Sequence, residues 1–205
     1  MPLIRKDPPG VHAQNVPSTD LLVRGTPDQR WSAARAISGD AAGVAALASA
    51  LLGESDARVR EAILTNLARS ATLAAVDAVL PHLRSDDAGL RTGALDALQA
   101  MRSAVAPRLG ELLHDPDQDI RLLACDLVRN VPAAEASSLL AGILHNEPEP
   151  NVCAAAVDVL AEVGGPADLP ALSSCAERFP NETFLHFCIE ATVQRISAEG
   201  PPPRG

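Results

Sequence analysis

Leu90-Arg91-Thr92-Gly93-Ala94-Leu95-Asp96-Ala97-Leu98 returns, respelled, six times along this chain of 205 residues. The copies are Gln29-Arg30 to Ile37, Val59-Arg60 to Leu67, Leu90 to Leu98, Ile120-Arg121 to Val128, Val152-Cys153 to Leu160, and Phe184-Leu185 to Thr192. Their first residues lie 30, 31, 30, 32 and 32 apart. A fixed period of this length marks a solenoid, because so small a unit can bury its apolar face only against its neighbours. Solenoids mostly bind other macromolecules. The repeat itself does not name the partner.

Composition says what fills the core. Hydrophobic residues make up 47% of the chain, yet there is no Tyr, one Trp and three Phe. A core of Ala, Leu and Val suits close-packed helices, whereas strands favour aromatic and β-branched residues. The fold class is therefore all-α. The 17 basic residues face 26 acidic ones, a net charge of −9. That balance argues against a phosphate-backbone binder, and the missing aromatics remove stacking platforms for single-stranded bases. Four cysteines at 125, 153, 175 and 188 form no CxxC pair; Cys125 and Cys188 read as inward, small apolar residues. No export signal or membrane-length apolar run is present in the sequence. A reduced, cytoplasmic, membrane-free protein is the expectation.

Residues 1–17 and 199–205, rich in Pro and Gly, read as disordered tails around a repeat domain at 18–198. Inside it, apolar first helices (43–52, 73–83, 104–113, 134–144 and 167–178) alternate with second helices that carry the recurrent phrase. Leu21–Arg24 reads as the truncated partner of the first copy. Four residues before each Arg position stand Thr26, Asp56, Asp87, Asp117, Glu149 and Asn181, read as helix N-caps. Thr26-Pro27-Asp28-Gln29 spells a full capping box.

The pattern Asp-x-x-x-Arg-x-x-Ala after a Leu-Leu ending and an Asp/Pro turn resembles the HEAT repeat, in the short bacterial form similar to that of phycobilisome lyases. Leu112-Leu113-His114-Asp115-Pro116-Asp117-Gln118-Asp119-Ile120-Arg121 is its best-matching turn, and Pro81, Pro107 and Pro170 fit proline-kinked first helices. The resemblance covers roughly residues 20–197. It implies a right-handed α-solenoid, a superhelix of about six HEAT-like helical hairpins whose second helices line the concave surface. It also implies structural stacking of Asp56/Arg60, Asp87/Arg91 and Asp117/Arg121 between repeats, lapsing at Cys153 and Leu185.

At about 100° per residue, positions one, five, six, eight and nine of the phrase share a core face, and positions three and seven point away from it. Position seven reads Arg35, Thr65, Asp96, Asp126, Asp158 and Glu190; position three reads Trp31, Glu61, Thr92, Leu122, Ala154 and His186. Four consecutive carboxylates at one height make a candidate partner-binding groove, with Leu122, Leu123, His186 and Phe187 as apolar or polar neighbours. Helices roughly 8–10 Å apart hold carboxylates too far apart for a two-metal site, which needs about 4 Å. No HxxH pair accompanies His114 and His145, and no GxSxG elbow is present. The His-Glu ligand pairs of HEAT-like iron hydroxylases, and the basic, aromatic groove of HEAT-like DNA glycosylases, are missing too. No catalytic residue, cofactor or metal is expected.

The expected role is a non-catalytic scaffold or adaptor whose acidic concave face takes a protein partner with a basic surface. Small bacterial HEAT-repeat proteins of this layout make chemotaxis-type or two-component signalling the most specific setting the resemblance implies. The alternative is a bilin lyase or lyase-like chromophore chaperone, for which Asp-lined walls have the wrong sign. The final helix leaves monomer and homodimer both open, and Trp31 is expected beneath the Pro-rich tail.

Overall fold

The computed structural model describes residues 18–198; the expected tails at 1–17 and 199–205 lie outside the described residues. Those residues form helices α1 (Ser18–Arg24), α2 (Pro27–Ala36), α3 (Ala41–Leu51), α4 (Ala57–Ser70), α5 (Leu73–Val79), α6 (Ala88–Ala100), α7 (Arg102–Leu112), α8 (Gln118–Val128), α9 (Ala133–Leu144), α10 (Pro150–Val163), α11 (Leu169–Arg178) and α12 (Thr183–Ala198). Each odd-numbered helix pairs with the next to make a hairpin, and the hairpins pile side by side as an all-α solenoid. The second helices pack broadly as α2 on α4 on α6 and as α8 on α10 on α12; α6 meets α8 over a narrower strip. One continuous apolar core runs between the two layers.

The helix starts follow from their caps. Thr26 and Gln29 form the expected box. Asp56 accepts from Arg58 and Val59 N–H groups, Asp87 from Leu90, and Asp117 from Asp119. Glu149 precedes α10 without a side-chain capping bond, and Asn181 lies two residues ahead of α12. The prolines divide by position. Pro107 sits inside α7, while Pro81 falls in a tightened 3-10 turn, Leu80–Arg84, that ends α5 early. Pro170 opens α11 rather than kinking it, because the first helical turn needs no proline N–H. Gly43 is required by space: a Cβ there would sit 1.9 Å from the Ser38 carbonyl oxygen.

The Asp/Arg stacking takes a different form from the one expected. Asp56 and Asp117 spend their carboxylates on capping, so the arginines reach elsewhere. Arg30 binds Glu54 through two N–H groups at 2.7 and 2.9 Å, and Arg121 binds Glu147 likewise at 2.9 and 2.8 Å. Arg60 reaches Asp87 of the next repeat at 2.7 Å. The same arginine position also clamps its own turn: Arg30 donates to Gly25 O, Arg91 to Ser85 O and Arg121 to Asp115 O. At the fifth repeat that position is Cys153, whose Sγ lies 3.7 Å from Glu147 O, and Arg178 of α11 supplies the missing guanidinium at 2.9 Å.

That clamp fixes the register of the last repeat. His186 Nε2 lies 3.0 Å from Phe179 O, the role taken by arginine elsewhere. Leu185 is 2% exposed and Phe184 is 69% exposed, so the sixth copy begins at Leu185 and not at Phe184. The sequence reading missed this shift because Phe and Leu are adjacent and both apolar. Burial, and not hydropathy, separates them.

Several carboxyls are held below their usual range by their partners: Glu54 by Arg30, Asp77 by Arg108 and Asp87 by Arg60, with backbone N–H bonds adding at Glu54 and Asp87. A carboxyl whose folded pKa is lowered stabilises the fold above its unfolded value, near 4, and that contribution fades as pH falls through the folded value. Urea midpoints should therefore fall steeply below about pH 4, after a smaller loss that begins near pH 6.5, where unfolding lets the buried His82, held neutral by desolvation, take up a proton. Glu54→Gln should remove part of that fall.

Candidate partner-binding face

The second helices decide what this face offers, because positions three and seven of each phrase are left uncovered by the core. Glu61, Thr65, Thr92 and Asp96, from α4 and α6, line a half-open cavity of about 1000 Å³. The rest of its wall is small and apolar, with Leu64, Ala68, Leu90 and Ala97, apart from Arg60 and Arg69. Gly93 belongs to the same wall, where a Cβ would stand 3.0 Å from Leu64 Cδ1, so a larger residue would press on α4.

Further along, the carboxylates are not equivalent. Asp126 accepts from Gln99 Nε2 at 2.6 Å and from Arg129 Nε at 3.4 Å. Asp158 accepts from Arg129 Nη2 at 2.8 Å, and Arg129 also contacts Glu162. The pattern is a ladder in which position ten of one repeat reaches position seven of the next. At position ten of the second repeat stands Ala68, which has nothing to donate. Asp96 is exposed and has no hydrogen bond or ion pair to a described residue. The evenly negative wall expected from the sequence is thus modulated: Arg129 is shared among three carboxylates, and Asp96 has no cation bound to it among the described residues. Gln99 and Arg129 stand outside the third and seventh positions, which alone point straight away from the core. The signal lay at position ten.

The apolar neighbours also sort differently. Leu122 is 38% exposed at position three, whereas Leu123 is half-buried and packs on the core. With the corrected register, position three of the last repeat is Phe187, 67% exposed, and not His186, which is turned to the Phe179 carbonyl. Glu190 is exposed but stands one place off the column formed by Asp96, Asp126 and Asp158. Trp31 is half-buried under the guanidiniums of Arg35, 4.5 Å from the ring centroid, and Arg58, 5.7 Å away. Its expected contact with the N-terminal tail lies outside the described residues.

His114 and His145 are both exposed, whereas Cys153 and Cys175 lie against each other with the Arg178 guanidinium 3.8 Å from Cys153 Sγ; no group of three or more His, Cys, Asp or Glu side chains among the described residues is placed to hold a metal ion. Cys125, Cys153 and Cys175 are buried, and Cys188, expected to point inward, is only half-buried. Burial pushes the Cys125 thiol up to about 12, so it is protonated and inert at neutral pH. A thiol-specific chromogenic disulfide should titrate at most Cys188 in the native protein within minutes, and all four thiols in denaturant. No described helix is long and apolar enough to cross a membrane.

Residues 105–185 match the family described as HEAT repeats. That stretch is similar to HEAT repeats and spans under half of the chain. Among solved structures, the solenoid is similar to an engineered protein from the Northeast Structural Genomics Consortium, at 18% identity and TM-score 0.45, covering 91% of this chain and 98% of that one. It is also similar to the complex of CpcE and CpcF of phycocyanin lyase from Nostoc sp. PCC7120, at 16% identity and TM-score 0.38, covering 95% of this chain and 100% of that one. With TM-scores below 0.5, neither likeness says what this chain does. No curated protein matches it.

Proposed function

We propose that this chain is a non-catalytic scaffold, an adaptor of the kind used in signalling, that binds a protein partner along its second-helix face. The observation that carries the reading is the exposure of Leu122 and Phe187 at equivalent positions of that face, whose second helices also carry the exposed carboxylates Asp96 and Asp158. Large apolar side chains left uncovered at repeat-equivalent positions supply the desolvated centre of an interface. Carboxylates around them favour a partner with Lys or Arg at its rim and speed its approach. The lyase-like alternative needs cations for tetrapyrrole carboxylates. Between α8 and α10 the face offers Arg129, already shared among Asp126, Asp158 and Glu162.

The test is recovery of a partner from cytosol on immobilised protein. Leu122→Asp with Phe187→Asp should reduce recovery at least about tenfold, as expected when hot-spot side chains are lost. Leu52→Asp, at a 77% exposed site on the first-helix layer, should leave it unchanged. Equal recovery by all three proteins would remove the face from the account.

A further inference from the structure

We propose that Cys153 and Cys175 form a peroxide-responsive dithiol, oxidised to an intramolecular disulfide that joins α10 to α11, with Arg178 as its positioning residue. The repeat pattern is the first argument. Position two of the phrase is arginine in the first four copies and Cys153 in the fifth. The guanidinium that clamps the turn there comes instead from Arg178, which also reaches Cys153 Sγ at 3.8 Å. Cys175 stands three residues before Arg178 on α11, on the same side of that helix, and its thiol lies against that of Cys153. Helices of two adjacent repeats thus bring two thiols and a cation together.

The two thiols are not alike. Cys153 donates to Glu147 O at 3.7 Å, and a thiol bonded to a carbonyl keeps its proton. Its contact with Cys175 and its burial push it up further. Cys175 is held below the ordinary thiol range by that same contact and by the Arg178 charge, against the opposing effect of burial. Arg178 Nη1 is buried and has no hydrogen-bond partner among the described residues, so it is open to an oxygen of a bound peroxide. The Cys175 thiolate attacks one peroxide oxygen: an S–O bond forms, the O–O bond breaks, and the departing hydroxide takes the proton Cys175 released and leaves as water. Cys153 sulfur then attacks Cys175 Sγ. The S–S bond forms, the S–O bond breaks, and the Cys153 proton departs with the hydroxyl as a second water. The peroxide gains two electrons and the thiol pair loses them. Both cysteines are buried, which excludes bulky thiol reagents and admits an oxidant little larger than water past the half-buried Arg178 side chain. The site involves neither Leu122 nor Phe187 and stands whether or not the partner reading does.

Brief exposure of the full chain to hydrogen peroxide in slight excess, followed by alkylation in denaturant and cleavage after glutamate, tests this. Glu162 lies between the two cysteines, so the disulfide should appear as linked fragments carrying Cys153 and Cys175, which dithiothreitol separates. Cys153→Ser should instead leave a sulfenic acid on Cys175 that dimedone traps, and Cys175→Ser should give neither product. Arg178→Gln should slow the linkage about tenfold, the thiolate lost for one pKa unit, and Arg178→Lys should recover most of the rate. Circular dichroism verifies that each variant keeps its helices. Links to Cys125 or Cys188 in place of this pair, thiols that resist peroxide until denaturant is added, or a rate indifferent to Arg178→Gln would each overturn the proposal.

Discussion

Glu147→Ala should lower the unfolding free energy by about 3–5 kcal/mol, the scale for breaking a buried ion pair by removing one partner. Side chains in this pair are 3% exposed at Glu147 and 11% at Arg121. Glu147 takes two bonds from the guanidinium and a third from the Glu149 N–H. Deleting the carboxylate strands a desolvated cation between the fourth and fifth repeats and orphans the N–H that starts α10. The apparent melting temperature should fall by about 6–20 °C. Replacing both members, Arg121→Met with Glu147→Leu, should cost much less, because no unpaired charge remains. Urea unfolding of the three proteins decides it. A loss under about 1 kcal/mol for Glu147→Ala would show the rung to be dispensable.

Asn66→Leu should cost about 2–4 kcal/mol, because it leaves two buried carbonyls without donors. Asn66 is 3% exposed on α4, and its Nδ2 donates to Ala34 O at 2.6 Å and Ile37 O at 2.9 Å. Those are carbonyls at the C-terminal end of α2, where the helix cannot satisfy its own acceptors. The asparagine of one repeat thus closes the helix of the repeat before it. Leucine has similar bulk, so the loss isolates hydrogen bonding from packing. Thermal unfolding against wild type measures it, and a shift of less than about 2 °C would contradict the assignment.

The architecture was legible because a period near 31 residues is a long-range signal that single substitutions do not blur. The caps at Thr26, Asp56, Asp87 and Asp117 were legible for the opposite reason: capping is local, and the donor lies within three residues. What could not be read was which side chain reaches across a repeat boundary. Arg30 to Glu54, Arg121 to Glu147 and Arg129 to Asp158 span 24 to 29 residues, and the sequence reading paired each cap with the arginine nearest in sequence. The sixth repeat misled for a related reason. Phe184-Leu185 matched the apolar-first pattern, while the true register is set by His186 standing in for arginine. Sequence placed Asp96, Asp126 and Asp158 in one column, and the structure adds Arg129 and Gln99, which leave Asp96 as its least compensated charge.

Hydrogen–deuterium exchange on the complex with the recovered partner tests the central claim most directly. The account predicts slowed exchange along α6, α8, α10 and α12, deepest around Leu122 and Phe187, with α3, α5 and α9 unchanged. Protection confined to the first-helix layer, with the amides around Leu122 and Phe187 exchanging as in the free protein, would contradict it.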